Sequence, residues 1–322
     1  MQITFDDEMY KTQILSNRYQ SLSTELADCT KKWVQVGRVR NMCLYPMFAG
    51  KAMDLPVCQF DLCGLSAINN NCQIQNHMFI IYNQKTKHKY EETCNPVLST
   101  LEIIPMSNHI MLLKASGMHE LILDLMKIQE SFQIIPYYES LNHKHLVELR
   151  CLDCGKEAAE WVSRCLDKPD LRLGFNKPGS MMRELYWNQF GQLYSLNGKD
   201  RESMVCYAEL PNCTLVSERS HTIINEKLSQ FIHMRQFIPN IIVTPYRSSP
   251  FFEINWEWIK IGDAVIRNIN PWGRYSDIEP KNLPIDLVIQ LMTLTCNVYL
   301  PGEMRIGNTV YIRVNDDSNE ID

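Results

Sequence analysis

The chain has 322 residues, of which 45% are hydrophobic and 21% charged, and its formal net charge is −5 at pH 7. That composition describes a folded chain of one large or two ordinary domains and excludes an intrinsically disordered one. The acidic balance and the lack of a Lys/Arg run exclude a broad nucleic-acid surface. No run of about eighteen apolar residues supplies a membrane-spanning helix.

Twelve cysteines are many, but their spacing suggests no disulfide scaffold. No secretory signal precedes them, so they are expected as reduced thiols of an intracellular, cytoplasmic protein. The opening Met1-Gln-Ile-Thr-Phe-Asp-Asp-Glu8 is acidic, the wrong charge for a mitochondrial presequence. Cys151 and Cys154 form a CxxC pair, but no second pair or spaced histidines complete a zinc set. They are read as packing cysteines.

In chain order, residues 1–33 are predicted as a lead-in helix, with Met9, Leu15, Tyr19, Leu22 and Leu26 recurring at helical spacing. That stripe either packs on its own domain or docks a partner. Val34 to Pro46 alternates as a strand and stops at the proline. His77 to Asn83 reads as another strand. Short strands then follow at Ile103–Ile104, Ile110–Leu113, Leu121–Leu123, Phe132–Ile135 and Leu146–Leu149.

Asp153 to Leu166 is predicted as a helix, with Cys154, Ala158, Trp161, Val162 and Cys165 on one face and Pro169 beyond its end. Leu171 to Val205 reads as a polar surface link. Cys213 to Asn225 reads as strand, turn and helix. Ser217, at that helix start, either donates to an anion held by the helix N-terminus or simply caps it. Arg235 to Val243 reads as a further strand. Ile259 and Ile261 alternate with Lys260, Gly262-Asp263 supplies a turn, and Ala264–Ile266 resumes the extended run. Pro271, Gly273 and Pro280 then punctuate a loop holding Trp272, Arg274 and Tyr275. An arginine between two aromatics at a strand exit either seats an anion or flat ring, or is ordinary loop packing.

Several of these segments carry a resemblance. Asp153-Cys-Gly155 with Ala158 and Trp161, Pro239-Asn-Ile-Ile-Val243, Glu253-x-x-Trp256, Ile261-Gly-Asp263 and Gly307-Asn-Thr-Val-Tyr311 follow one another in order. Together they resemble the MOSC domain family, the fold of molybdenum cofactor sulfurase C-termini and of the mitochondrial amidoxime-reducing components. The resemblance covers about residues 34–314. It implies an α+β architecture in which a MOSC N-terminal β domain (34–170) packs on a mixed MOSC β-barrel (171–314) with flanking helices. Residues 1–33 form the N-terminal helix and residues 315–322 a frayed acidic tail.

In that family a Lys-Ser pair after Tyr-Pro, two arginines and a cysteine thiolate hold the molybdenum cofactor, Mo-molybdopterin. Tyr45-Pro46 is present here, but the matching Lys, Ser, Arg, Arg and Cys positions are Phe48, Ala49, His77, Ile238 and Tyr275. A further family arginine falls at Thr93, and Lys51 substitutes for the lost lysine only if the loop is re-routed. Ser217, Asn240 and Arg274 are the retained cofactor positions.

A charge-assisted contact contributes about 1.5–3 kcal/mol. Losing three or four therefore costs on the order of 5–10 kcal/mol, against about 8 kcal/mol for a millionfold loss of affinity. Tyrosine is also a hard oxygen donor where a soft thiolate is expected.

The expected function is that of a degenerate member of the molybdenum-cofactor-dependent amidoxime and N-hydroxyl reductases, a pseudoenzyme or binding module without bound cofactor. Its partner would be a protein or a small anionic or aromatic ligand held by Trp272, Arg274 and Tyr275. The alternative is an active molybdenum-cofactor oxidoreductase that reduces N-hydroxylated substrates with electrons from haem and flavin proteins. It needs a replacement ligand, for which Cys206, Cys213 and Cys296 are the candidates. Mitochondrial association is implied by the resemblance only, and the family's N-terminal anchor is not evident.

Overall fold

A computed structural model describes residue 16 and residues 19–61, 64–90, 95–141, 145–176, 213–246, 250–268, 288–289 and 292–315. The first half contains β1 (Lys31–Leu44), β2 (Met53–Asp54), β3 (Val57–Asp61), β4 (Gly64–Asn69), β5 (Cys72–Gln75), β6 (Phe79–Asn83), β7 (Glu102–Pro105), β8 (Ile110–Lys114), β9 (Leu121–Asp124), β10 (Ile134–Leu141) and β11 (His145–Asp153). The second contains β12 (Leu171–Phe175), β13 (Cys213–Ser217), β14 (Ile241–Pro245), β15 (Trp258–Ile261), β16 (Ala264–Asn268), β17 (Leu294–Leu300), β18 (Gly302–Arg305) and β19 (Thr309–Asn315). Helices are α1 (19–27), α2 (Leu125–Glu130), α3 (Lys156–Cys165) and α4 (Glu218–Lys227).

The long first strand makes the barrel possible. β1 pairs with β19 along its first half and with β14 along its second. The ring therefore runs β14-β13-β17-β16-β15-β19-β1 and closes back on β14, leaving no free edge. β13 and β14 are parallel and the other pairs antiparallel, so the barrel is mixed, as expected. Register shifts between Gln35 and Gly37, and between Val39 and Asn41, bend β1 so that it can serve both neighbours. Gly37 is needed there, because a Cβ would lie 2.6 Å from the Thr244 carbonyl oxygen. Val36, Val39, Leu215, Ile241, Ile259 and Val298 fill the interior. The β15–β16 hairpin turns at Gly262, whose φ of +57° is left-handed.

A second core lies outside the barrel, among β6 to β9, β12 and α3. Asp153 fixes the start of α3. Its carboxylate accepts from Gly155 N at 2.8 Å, Tyr82 Oη at 2.5 Å, and Arg172 Nε and Nη2 at 2.6 and 2.5 Å. Trp161 Nε1 donates to the His119 carbonyl at 2.7 Å. These bonds account for the Asp-Cys-Gly and Trp residues of that helix on structural grounds alone. Cys151 and Cys154 are enclosed beside it, and burial pushes both thiols up, Cys151 to about 12. That environment suits packing.

Of the helical stripe near the N-terminus, Met9 and Leu15 lie outside the described residues, and among the rest only Leu22 packs on its own chain. Leu22 is buried with Trp258, Val265 and Tyr299, while Tyr19 and Leu26 are exposed. Arg313 Nη2 donates to the carbonyls of Glu25, Leu26 and Asp28, taking up the open end of α1.

Local departures from the sequence reading have identifiable causes. β1 begins at Lys31, inside the span read as lead-in helix, because Lys31 to Trp33 extend the ladder with β19. α2 falls where only strands were expected, capped by Asp124 accepting from Met126 and Lys127 N–H groups. Phe132 turns with a φ of +48°, so the strand read from Phe132 starts at Ile134. Leu171, Leu173 and Phe175 alternate into the second core as β12 rather than forming a link. Met234–Phe237 is a 3-10 turn, and β14 begins only at Ile241. No helix among the described residues is long and apolar enough to cross a membrane.

Candidate functional site

Beyond β1, the segment from Tyr45 to Gly50 leaves the barrel and zips onto the start of β6. Tyr45 N–H donates to Asn76 Oδ1 at 3.0 Å, His77 N–H to the Tyr45 carbonyl at 2.8 Å, and Phe79 N–H to the Pro46 carbonyl at 2.7 Å. This ladder brings the Phe48 and His77 rings edge to face, with centroids 5.1 Å apart. Ala49 is buried in the second core, and Phe48 and Ile238 pack half-buried against the same cluster. Three of the positions singled out by the resemblance thus belong to or pack on one core, and His77 joins them through Phe48.

Three of the four also share a backbone feature. Ala49, His77 and Ile238 have φ of +57°, +53° and +46°. Non-glycine residues rarely adopt this region, and for a β-branched isoleucine it is an outlier. Such conformations cost on the order of 1–3 kcal/mol each and cluster at functional sites. Nothing in the sequence signals them.

The charge at this place comes from an unexpected residue. Lys89 bridges to Tyr82 of β6, and its Nζ sits 3.7 Å over the Phe48 ring. The same ammonium pairs with Glu139 Oε1 at 2.9 Å, with the lysine side chain 1% exposed. Burial, reinforced by the Lys89 charge, holds His77 well below the ordinary imidazole range, so the ring is neutral at pH 7. Lys51 points elsewhere, pairing with Glu102 at 3.0 Å. The Lys89–Glu139 pair was not legible in the sequence, since it joins strands separated by most of the second core.

Asn240 and Ser217 lie at opposite ends of the parallel β13–β14 pair. Asn240 is 2% exposed. Its Nδ2 donates to the Cys43 carbonyl at 3.0 Å and Asn76 Oδ1 at 3.1 Å, and its Oδ1 accepts from Thr214 N at 3.1 Å. The amide therefore ties β1, β13 and the Asn76 turn together. Beside it Cys43 donates to Asp54 Oδ1 at 3.2 Å, and Arg235 pairs with the same carboxylate at 3.0 Å. Burial pushes the Cys43 thiol up to about 12.

Ser217 is fully buried and caps α4, its Oγ accepting from Ser220 N at 3.4 Å. The Glu253 carboxyl, 2% exposed, occupies this helix N-terminus from within the chain. Burial pushes it above the usual carboxylate range, and the Ser220 and Ser217 hydroxyls partly draw it back. Its Oε1 has no hydrogen-bond partner among the described residues. The Glu253-x-x-Trp256 pair was visible as a motif, but its anion-like role at α4 was not.

Arg274, Tyr275, Trp272, Thr93 and Cys206 lie outside the described residues. Cys213 and Cys296 face each other as directly paired residues of β13 and β17, inside the barrel core.

Fold and site together define a closed mixed-barrel α+β protein with a packed region of left-handed backbone beside β1 and β6. No family model matches the chain. It is 24% identical over 268 residues to mitochondrial amidoxime reducing component 2 of Rattus norvegicus, covering 81% of this chain and 72% of the relative. The Homo sapiens protein of that name is 23% identical over 267 residues, covering 81% and 72%. Mitochondrial amidoxime-reducing component 1 of Danio rerio is 28% identical over 139 residues, covering 42% of this chain and 40% of the relative. The chain is a distant relative of the mitochondrial amidoxime reducing components.

Proposed function

We propose that this chain is a degenerate MOSC-fold protein, a pseudoenzyme or binding module in which the chain's own side chains fill the place of the cofactor's phosphate pocket. The observation that carries this reading is the convergence of Phe48, Ala49, His77 and Ile238 on one packed region. Phenylalanine, alanine and isoleucine side chains donate no hydrogen bond to a phosphate. The His77 ring is neutral, and the Lys89 ammonium is engaged by Glu139 and the Phe48 ring. The described residues at this position therefore do not fit a molybdopterin phosphate. At the metal position, Tyr275 offers a hard oxygen in place of a thiolate.

The left-handed backbone at Ala49, His77 and Ile238 is held in place by the surrounding packing. The alternative of an active reductase with a replacement thiolate is disfavoured for Cys213 and Cys296, which are directed at each other in the barrel core. What the protein retains is a surface for binding, with the Trp272, Arg274 and Tyr275 loop as the candidate seat of an anionic or aromatic ligand.

A reduction assay tests this. The purified chain, given an N-hydroxylated amidine and a reduced viologen dye as chemical electron donor, is expected to show no turnover above the protein-free rate. Sustained turnover proportional to protein concentration would overturn the reading in favour of an active oxidoreductase.

A further inference from the structure

We propose that Cys213 and Cys296 are a reversible oxidation site, forming a cross-strand disulfide that staples β13 to β17. The two residues are direct partners in the antiparallel ladder, and both are free thiols in this structure. Directly opposed antiparallel residues have Cα atoms about 4.5–5.5 Å apart, inside the range that a disulfide spans without backbone movement. Both side chains belong to the same buried core, and burial pushes the Cys213 thiol well above its ordinary range.

The surroundings are rich in sulfur. Cys58 lies close enough to act on Cys213, its own Sγ is 3.6 Å from Met42 Sδ, and Met304 is paired with Cys58 across β18 and β3. The rung also has a particular position in the barrel. Cys213 is the first residue of β13, and Cys296 pairs on its other side with Asn268, the last residue of β16. A covalent bond here would lock β13 to β17 at the point where β13 begins and β16 ends.

The oxidant is a peroxide. The Cys213 thiolate attacks one peroxide oxygen and breaks the O–O bond, giving a sulfenic acid and, after proton transfer, water. The Cys296 thiol then displaces the sulfenic oxygen to form the S–S bond, and a second water leaves with the remaining thiol proton. Two electrons pass from the two sulfurs to the peroxide. Because both thiols are buried, the reaction is slow beside that of the exposed Cys29 and waits on opening of the strand end.

The full-length folded chain is treated with hydrogen peroxide, quenched by alkylation in denaturant, and mapped by mass spectrometry of its peptides. The expected result is a Cys213–Cys296 crosslinked peptide that forms more slowly than Cys29 is oxidised and is lost on adding dithiothreitol. Because the closed loop is long, the melting temperature should rise by roughly 5 °C or more. Cys296→Ser should abolish the crosslink, but the map of the unsubstituted chain decides the matter even if that variant folds poorly. Cys213 and Cys296 that stay fully alkylated through a time course continued long after Cys29 is completely oxidised would overturn the proposal. So would a crosslink that joins Cys58 to either residue.

Discussion

Ala49 and Ile238 hold left-handed backbone that neither side chain favours, so the strain at this pocket can be weighed residue by residue. Removing the Ala49 methyl loses roughly 0.8 kcal/mol of burial, while glycine relieves about 1–2 kcal/mol of left-handed strain. Ala49→Gly is therefore expected to leave the urea midpoint nearly unchanged. Ala158→Gly, at a buried first-turn position of α3, should cost about 1–2 kcal/mol through lost burial and helix propensity. Equal losses at both positions would show that the strain at Ala49 is not real.

Phe48→Lys would restore the family residue but set a second ammonium against Lys89 and remove the ring contact with His77. A loss of about 2–4 kcal/mol is expected in chemical denaturation. An unchanged midpoint would mean that a cation is still welcome there.

Glu253 gives a pH test. Burial raises its folded pKa, so the stability it contributes is complete below the unfolded value of about 4.3 and is lost as pH rises through the folded pKa. Glu253→Gln should therefore be more stable than the parent at pH 8, with the gap closing toward pH 4. Urea midpoints at the two pH values check both the sign and the trend.

At the scale of elements, what could be read from sequence was what local chemistry decides. The β15–β16 hairpin was legible because Ile261-Gly-Asp-Ala264 carries its own turn signal. α3 was legible because its apolar residues recur at helical spacing over several turns. α2 was missed because six residues are too few to show a period, and its start depends on one aspartate cap. β12 was missed because Leu171, Leu173 and Phe175 make too short an alternation to outweigh the polar stretch that follows.

The anchor of α3 carries a prediction at this scale. Burial pushes the Asp153 carboxyl up, but hydrogen bonds from Arg172 and Tyr82 outweigh it and hold the group below the usual carboxylate range. Asp153→Asn should cost about 3–5 kcal/mol, because it leaves the Arg172 charge without its partner. Since the folded pKa is lowered, the stabilisation is present above the unfolded value of about 3.9 and is lost as pH falls. The difference between parent and variant, read from urea midpoints, should therefore shrink at low pH.

For the molecule as a whole, barrel closure was legible only through resemblance, since no local pattern says that β1 pairs with both β19 and β14. Phe48, Ala49, His77 and Ile238 were singled out one at a time, through the resemblance. Their convergence on one core, their left-handed backbone and the Lys89–Glu139 pair beside them depend on tertiary contacts and were not legible. The central claim is that a barrel of this architecture persists with a pocket that no longer seats the cofactor. Its most direct test is the molybdenum content of the purified chain, expressed in a host that makes the cofactor, together with the fluorescence of oxidised pterin released by acid. The account predicts that neither rises above the level of a cofactor-free control protein, whereas near-stoichiometric molybdenum and pterin would contradict it.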